Sequence, residues 1–96
     1  MIRSFGDKIT EDFYHGLQSK NAKRIPKDIS KIALRKLDMI QIAQALQDLA
    51  MPPGNRLEAL KGELRGYYSI RINDQWRIVF QWIEGAANHV RIADYH

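Results

Sequence analysis

An α+β fold in two layers, with helices from the first half of the chain and an antiparallel sheet from the second, follows from three features of these 96 residues. Ile29, Ile32, Ala33, Leu37 and Ile40 recur at the three-to-four spacing of an amphipathic helix. Tyr68, Ile70 and Ile72, then Trp76, Ile78 and Phe80, alternate with Ser69, Arg71, Asn73, Arg77, Val79 and Gln81, the period of strands with one apolar face. Met51-Pro52-Pro53-Gly54 separates the two regions and stops helical structure.

Taken in order, residues 1–5 predict a short opening strand and residues 10–14 a brief helix ending near Gly16. A basic linker leads to Pro26, which stands where a helix begins. Lys27, Lys31 and Arg35 repeat every four residues on the side away from the apolar stripe, so they project together. Asp38, with Gln41 three residues later, resembles a capping box, and the apolar stripe shifts to Met39, Ile42, Ala43, Leu46 and Leu49. This predicts a bend and a second helix. Residues 55–66 read as a connector to the hairpin, and residues 84–88 join the hairpin to a last strand over 90–95. Nothing repeats internally, and the whole of 1–96 reads as a single domain with its helices packed on the apolar sheet face and the arginine face left open.

The hairpin register follows from its pattern. Residues directly opposite on antiparallel strands share a face, so matching the apolar sets pairs Ile72 with Trp76 across Asn73-Asp74-Gln75 and sets Arg71 opposite Arg77. A two-residue loop would put Arg71 on the face of Trp76, a slip that exposes half the apolar set. Facing like charges cost about 0.2–1 kcal/mol, so the arrangement makes sense where an anion sits between them, a phosphate first. The plainer alternative is a set of surface ion pairs with Asp74, Glu63 or Glu84.

Composition narrows the function classes. A chain of 96 residues carries one core and no deep enclosed pocket. With no cysteine it has no disulfide framework, no thiolate nucleophile and no zinc-site spacing, which fits a reducing cytoplasm. The N-terminus lacks the apolar core of a signal peptide, and no run approaches the roughly 20 apolar residues of a membrane span. Net charge is +4, but the excess is local: Lys20, Lys23, Arg24, Lys27, Lys31, Arg35 and Lys36 stand against Asp28 alone. Such a block implies a polyanionic partner, nucleic acid or an acidic protein segment, unless it is simply a solvated helix face.

Leu60-Lys61-Gly62, the run from Tyr68-Ser69-Ile70-Arg71-Ile72-Asn73-Asp74-Gln75-Trp76-Arg77-Ile78, and Asp94-Tyr95-His96, in that order, resemble the HigB toxins, the plasmid-maintenance killer-protein group of the RelE/ParE superfamily. The Ile2-Arg3-Ser4-Phe5 opening and the helical middle fit as well. The resemblance implies a compact RelE-like domain and a non-secreted type II toxin that acts as a ribosome-dependent endonuclease on A-site mRNA. It implies a helix-turn-helix antitoxin of the HigA type as partner, with operator DNA bound through their complex, and neither membrane nor cofactor. By family position the site residues are Lys61, Arg71, Arg77, Asp94, Tyr95 and His96. Some relatives carry a histidine just before the Leu-Lys-Gly motif; here the stretch is Asn55-Arg56-Leu57-Glu58-Ala59, so any role of that histidine falls to another group.

Metal-independent RNA cleavage needs a base for the ribose 2′-hydroxyl, cations for the phosphorane and an acid for the departing 5′-oxygen. Arg71 and Arg77 suit the phosphorane, because guanidinium stays charged and forks onto phosphate oxygens. Lys61 adds a cation, or a proton acceptor if buried. His96 is the natural proton-transfer group and general acid, with Asp94 to orient it or hold an arginine and Tyr95 to stack on a base or assist proton transfer. Lys23, Arg24, Lys27, Lys31 and Arg35 form the expected ribosome or RNA contact, a surface that equally suits an acidic antitoxin segment. Two other classes share this fold: a ParE-like inhibitor of DNA gyrase, and a non-catalytic corepressor that works through the antitoxin.

Overall fold

Pro26 presets the backbone for a helix, and α2 runs from Lys27–Ile42 with Ile29, Ala33, Leu37 and Ile40 buried along one stripe. The computed structural model describes residues 1–94; Tyr95 and His96 lie outside the described residues. The expected bend at Asp38 does not occur. Asp38 is exposed within α2, and its Oδ1 accepts a hydrogen bond from the Tyr14 hydroxyl at 3.0 Å instead of capping a new helix. Ile40 and Ala43 continue the buried face of Ala33 and Leu37 while Ile42 stays 77% exposed, so the helical hydrogen-bond ladder continues through Asp38 with no new apolar face.

The helix ends where the Ala43 N–H reaches the Met39 carbonyl at 3.0 Å, and the Met1 ammonium donates to the carbonyls of Ile40 (3.4 Å) and Ala43 (3.3 Å). A cation there complements the negative end of the helix. What the sequence presents as the rest of a second helix is one 3₁₀ turn, Leu46–Leu49, entered through Asp48 Oδ2, which accepts from the Gln44 and Ala45 N–H groups at 3.0 and 3.1 Å.

Four antiparallel strands follow in chain order across one sheet, β1 (Glu58–Ala59), β2 (Tyr67–Arg71), β3 (Trp76–Ile83) and β4 (Ala86–Asp94). The hairpin register is the expected one: Arg71 faces Arg77, and the Ile72 N–H reaches the Trp76 carbonyl at 2.9 Å. Asn73 Oδ1 accepts from the Gln75 and Trp76 N–H groups at 2.9 and 2.8 Å, closing the three-residue loop with an Asx turn. β1 lies inside the stretch read as a connector, since two exposed residues of low β-propensity give no periodic signal.

β4 begins at Ala86, earlier than its expected start, because a bulge hides its alternation. Val79 pairs with Arg91 but Gln81 with Asn88, so β4 carries one extra residue, and His89 turns at φ 53°. The extra residue lets Ala87 and Val90 both reach the core, fully buried.

The opening segment is two isolated parallel bridges beside β4, Ile2 with Ala87 and Phe5 with Val90, rather than a continuous strand. Gly6 passes so close to the bulge that a Cβ there would lie 2.7 Å from the His89 carbonyl oxygen. α1 (Lys8–Tyr14) starts at Asp7, whose Oδ1 accepts from the Thr10 N–H at 2.8 Å. Buried Thr10 in turn accepts from the Ile92 N–H at 2.9 Å, tying α1 to β4.

α2 covers β3 and β4, and the core between the layers holds Leu37, Ile40, Ile70, Ile78, Phe80 and Val90, all fully buried. Each such side chain stabilises the fold by about 1.5–3 kcal/mol. No helix among the described residues is long and apolar enough to cross a membrane.

Asp12 accepts from the Ser19 hydroxyl at 2.7 Å and pairs with Lys8 Nζ at 3.1 Å; these contacts, Ser19 foremost, hold its carboxyl below the usual carboxylate range against the opposing effect of burial. A lowered folded pKa gives stability that is present above the ordinary range and lost as pH falls through it. Melts recorded from about pH 7 down to about pH 3 are therefore expected to show a flatter acid limb for Asp12→Asn than for the wild type. Gly6→Ala is expected to cost about 1–3 kcal/mol in urea unfolding, since backbone atoms must move to admit the methyl group.

Candidate functional site

On the sheet face away from α2, the register builds two adjacent rows. Arg71, Arg77 and Ala93 form one; Glu58, Ser69, Val79 and Arg91 form the next. Arg77 Nη1 lies 3.2 Å from Glu58 Oε1 and 3.5 Å from Ser69 Oγ. Arg71 Nη2 pairs with Asp74 Oδ1 across the hairpin turn. The Arg71 hydrogen bond and charge, with a smaller contribution from Arg56, hold the Asp74 carboxyl below its ordinary range.

This face is less open than the alternation implies, with the Arg71 side chain 28% exposed and that of Arg77 14%. The two guanidinium groups are held differently. Arg77 is anchored between neighbouring strands, whereas the partner of Arg71 is a side chain 99% exposed. Exposed pairs of that kind are worth about 0–1 kcal/mol, so the Asp74 contact holds Arg71 only weakly.

Glu58 enters this face only through strand pairing. It borders a shallow depression of about 380 Å³ that Lys61 also lines, with Ala59, Leu60 and Leu64. Glu58 therefore joins Lys61 to the arginine pair. It stands just before Leu60-Lys61-Gly62, and the pairing of Glu58 with Ser69 is what places it on the arginine face. Lys61 is exposed at the start of a 3₁₀ turn, Gly62–Leu64, and Gly62 takes φ +67°, a left-handed conformation suited to glycine. Exposure suits Lys61 as a cation facing phosphate rather than as a buried proton acceptor.

Asp94 is not brought to this face. It pairs with Trp76, so it belongs to the opposite side of the sheet, where its Oδ2 accepts from Gln75 Nε2 at 3.2 Å. The expected roles of Tyr95 and His96 fall on residues outside those described.

Lys23 and Arg24, in the 3₁₀ turn Ala22–Arg24, and Lys27, Lys31 and Arg35 on α2 are all exposed. Lys36 is not part of that surface. It is 9% exposed and donates to Oδ1 of Asn55, itself fully buried; Asn55 Nδ2 donates to the Leu49 carbonyl at 3.1 Å. Burial, then the charges of Arg35 and Arg71, push the Lys36 ammonium pKa down. This buried pair clamps the segment after α2 against the helix and leads the chain toward β1. Asn55→Ala is expected to destabilise the protein by about 1–3 kcal/mol in urea unfolding, because a buried ammonium loses its acceptor.

Two helices packed on a four-stranded antiparallel sheet give a RelE-like fold. A chain of the YoeB-YefM complex from Staphylococcus aureus superposes with a TM-score of 0.61 at 24% identity, covering 100% of this chain and 98% of that one. YafQ from Escherichia coli strain BL21(DE3) gives 0.61 at 14% identity, over 98% and 93% of the two chains. Residues 3–96 match the HigB-like toxin family, described as the RelE-like toxin of the type II toxin-antitoxin system HigB, and the chain belongs to that family. It is 46% identical over 87 residues to Toxin HigB-1 of Vibrio cholerae serotype O1, spanning 91% of this chain and 90% of that protein. It is also 46% identical over 41 residues to Endoribonuclease HigB of Proteus vulgaris, spanning 43% and 45% respectively.

Proposed function

We propose that this toxin is an endoribonuclease that cuts mRNA in the ribosomal A site, held in check by an antitoxin of the HigA type whose helix-turn-helix domain carries the complex to operator DNA. The observation that supports it most is the direct opposition of Arg71 and Arg77 with the Glu58 carboxylate 3.2 Å from Arg77. The relative from Proteus vulgaris is named as an endoribonuclease.

In the proposed reaction the scissile phosphate lies between Arg71 and Arg77 and takes the place of Asp74 on Arg71. The ribose 2′-oxygen attacks phosphorus as Glu58 accepts its proton. The phosphorane charge falls on the two guanidinium groups, with Lys61 at the edge. The bond to the 5′-oxygen then breaks, leaving a 2′,3′-cyclic phosphate, and His96 supplies the proton that the leaving oxygen takes up. This scheme requires no metal.

Ribosome dependence has a physical basis in this proposal. A depression as shallow as the one beside Glu58 and Lys61 grips little of an RNA chain, so the in-line geometry must come from the ribosome that holds the mRNA. Arg24, Lys31 and Arg35, all exposed, supply salt-dependent contacts to ribosomal RNA phosphates.

Mapping mRNA 5′ ends on translating ribosomes tests the reading. Arg71→Ala and Arg77→Ala are each expected to lower cleavage by about 10²–10³-fold, as loss of a transition-state donor does. Glu58→Gln, which keeps the shape of the side chain, is expected to lower it by about 10²–10⁴-fold. Wild-type cutting by a folded Arg77→Ala protein would overturn the phosphate clamp. Growth arrest with no cuts at all would transfer the protein to the gyrase class.

A further inference from the structure

A second depression, of about 280 Å³, lies between α1, the turn that follows it and the start of α2. Phe13, Leu17, Ala22 and Ile25 give it an apolar lining, and the exposed Lys23 and Lys27 border it. Leu17 stands 50% exposed at the edge of this depression, so its apolar surface is open to a partner.

The walls are held in place. The Leu17 N–H bonds to the Asp12 carbonyl at 3.0 Å and the Lys23 N–H to the Ser19 carbonyl at 3.2 Å. The Ser19 hydroxyl donates to Asp12 at 2.7 Å and accepts from the Ala22 N–H at 3.1 Å. A groove fixed in this way loses little freedom when it binds.

The surrounding charge is one-sided. Lys20, Lys23, Arg24 and Lys27 cluster at this end of the molecule, Asp28 is exposed beside them, and Asp12 is buried with its charge engaged by Lys8. An apolar floor bordered by lysines fits one class of occupant, an amphipathic acidic peptide that puts aliphatic side chains into the depression and carboxylates on the lysines. RNA draws on the cations but gains little from a half-exposed leucine. A second copy of this chain carries the same +4 net charge, so charge complementarity favours an acidic partner over it.

We infer that this groove is the docking site for an acidic amphipathic segment of the antitoxin, with Leu17 as the apolar contact and Lys23 and Lys27 as the charged ones. The inference rests on membership of a toxin-antitoxin family and not on the cleavage chemistry. Lys23 and Lys27 thereby separate from Lys31 and Arg35, which lie further along α2 and do not line the groove.

Calorimetric titration with the cognate antitoxin at two salt concentrations, alongside a fluorescein-labelled single-stranded RNA, tests the assignment without reading cleavage. Leu17→Ser is expected to weaken antitoxin binding about tenfold with an unchanged melting temperature and unchanged RNA affinity. Lys23→Glu with Lys27→Glu is expected to weaken it about a hundredfold and to flatten its salt dependence. Antitoxin affinities within about twofold of wild type for both folded variants would overturn the inference. So would a Leu17→Ser protein that loses RNA while keeping the antitoxin. Because each arm reads binding, loss of the nuclease reading leaves the result interpretable.

Discussion

The pairing of Ile72 with Trp76 across a three-residue loop is the constraint on which both faces of the sheet depend. Side chains alternate with period two, so this one register sends Ile70, Ile78 and Phe80 into the core and brings Arg71 opposite Arg77 on the other side. A single-residue slip would bury charge and expose the core at once. The like-charge cost of the arginine pair is therefore carried by the same apolar burial that specifies the register. Stability and chemistry are set by one choice.

Everything around the hairpin serves to keep that sheet covered and its outer edge in place. The bulge at His89 restores the inward phase of β4, so that Ala87 and Val90 both meet the core. The close passage of Gly6 lets the opening segment bridge to β4. On the far side, Lys36 and Asn55 fasten the segment after α2 and so govern where β1 begins. Glu58 reaches Arg77 because β1 pairs with β2, which makes a buried polar contact between helix and loop relevant to the site.

Charge on this molecule is divided by context more than by count. Of the basic block, Lys36 is consumed by the interior, Lys23 and Lys27 border an apolar groove, and Lys31 and Arg35 stand on the open side of α2. Arg71 and Arg77 differ in the same manner, one tied to a solvent-exposed aspartate and the other anchored between strands by Glu58 and Ser69. Identical residue types acquire separate tasks from the dielectric and the partners around them.

By itself the sequence determined the fold class, the amphipathic stripe of α2, the hairpin register, the arginine pair and the family, because each is written in local periodicity or in a short ordered motif. The helix continuing through Asp38, the strand at Glu58 and the early start of β4 were not legible. Each depends on partners distant in the chain: Tyr14 for Asp38, Ser69 for Glu58, Val79 and Gln81 for the bulge. The inward turn of Lys36 likewise required Asn55. Tertiary structure alone decided that Glu58 stands beside Arg77 and that Asp94 faces the other way, since strand pairing, not spacing along the chain, fixes which side chains share a face.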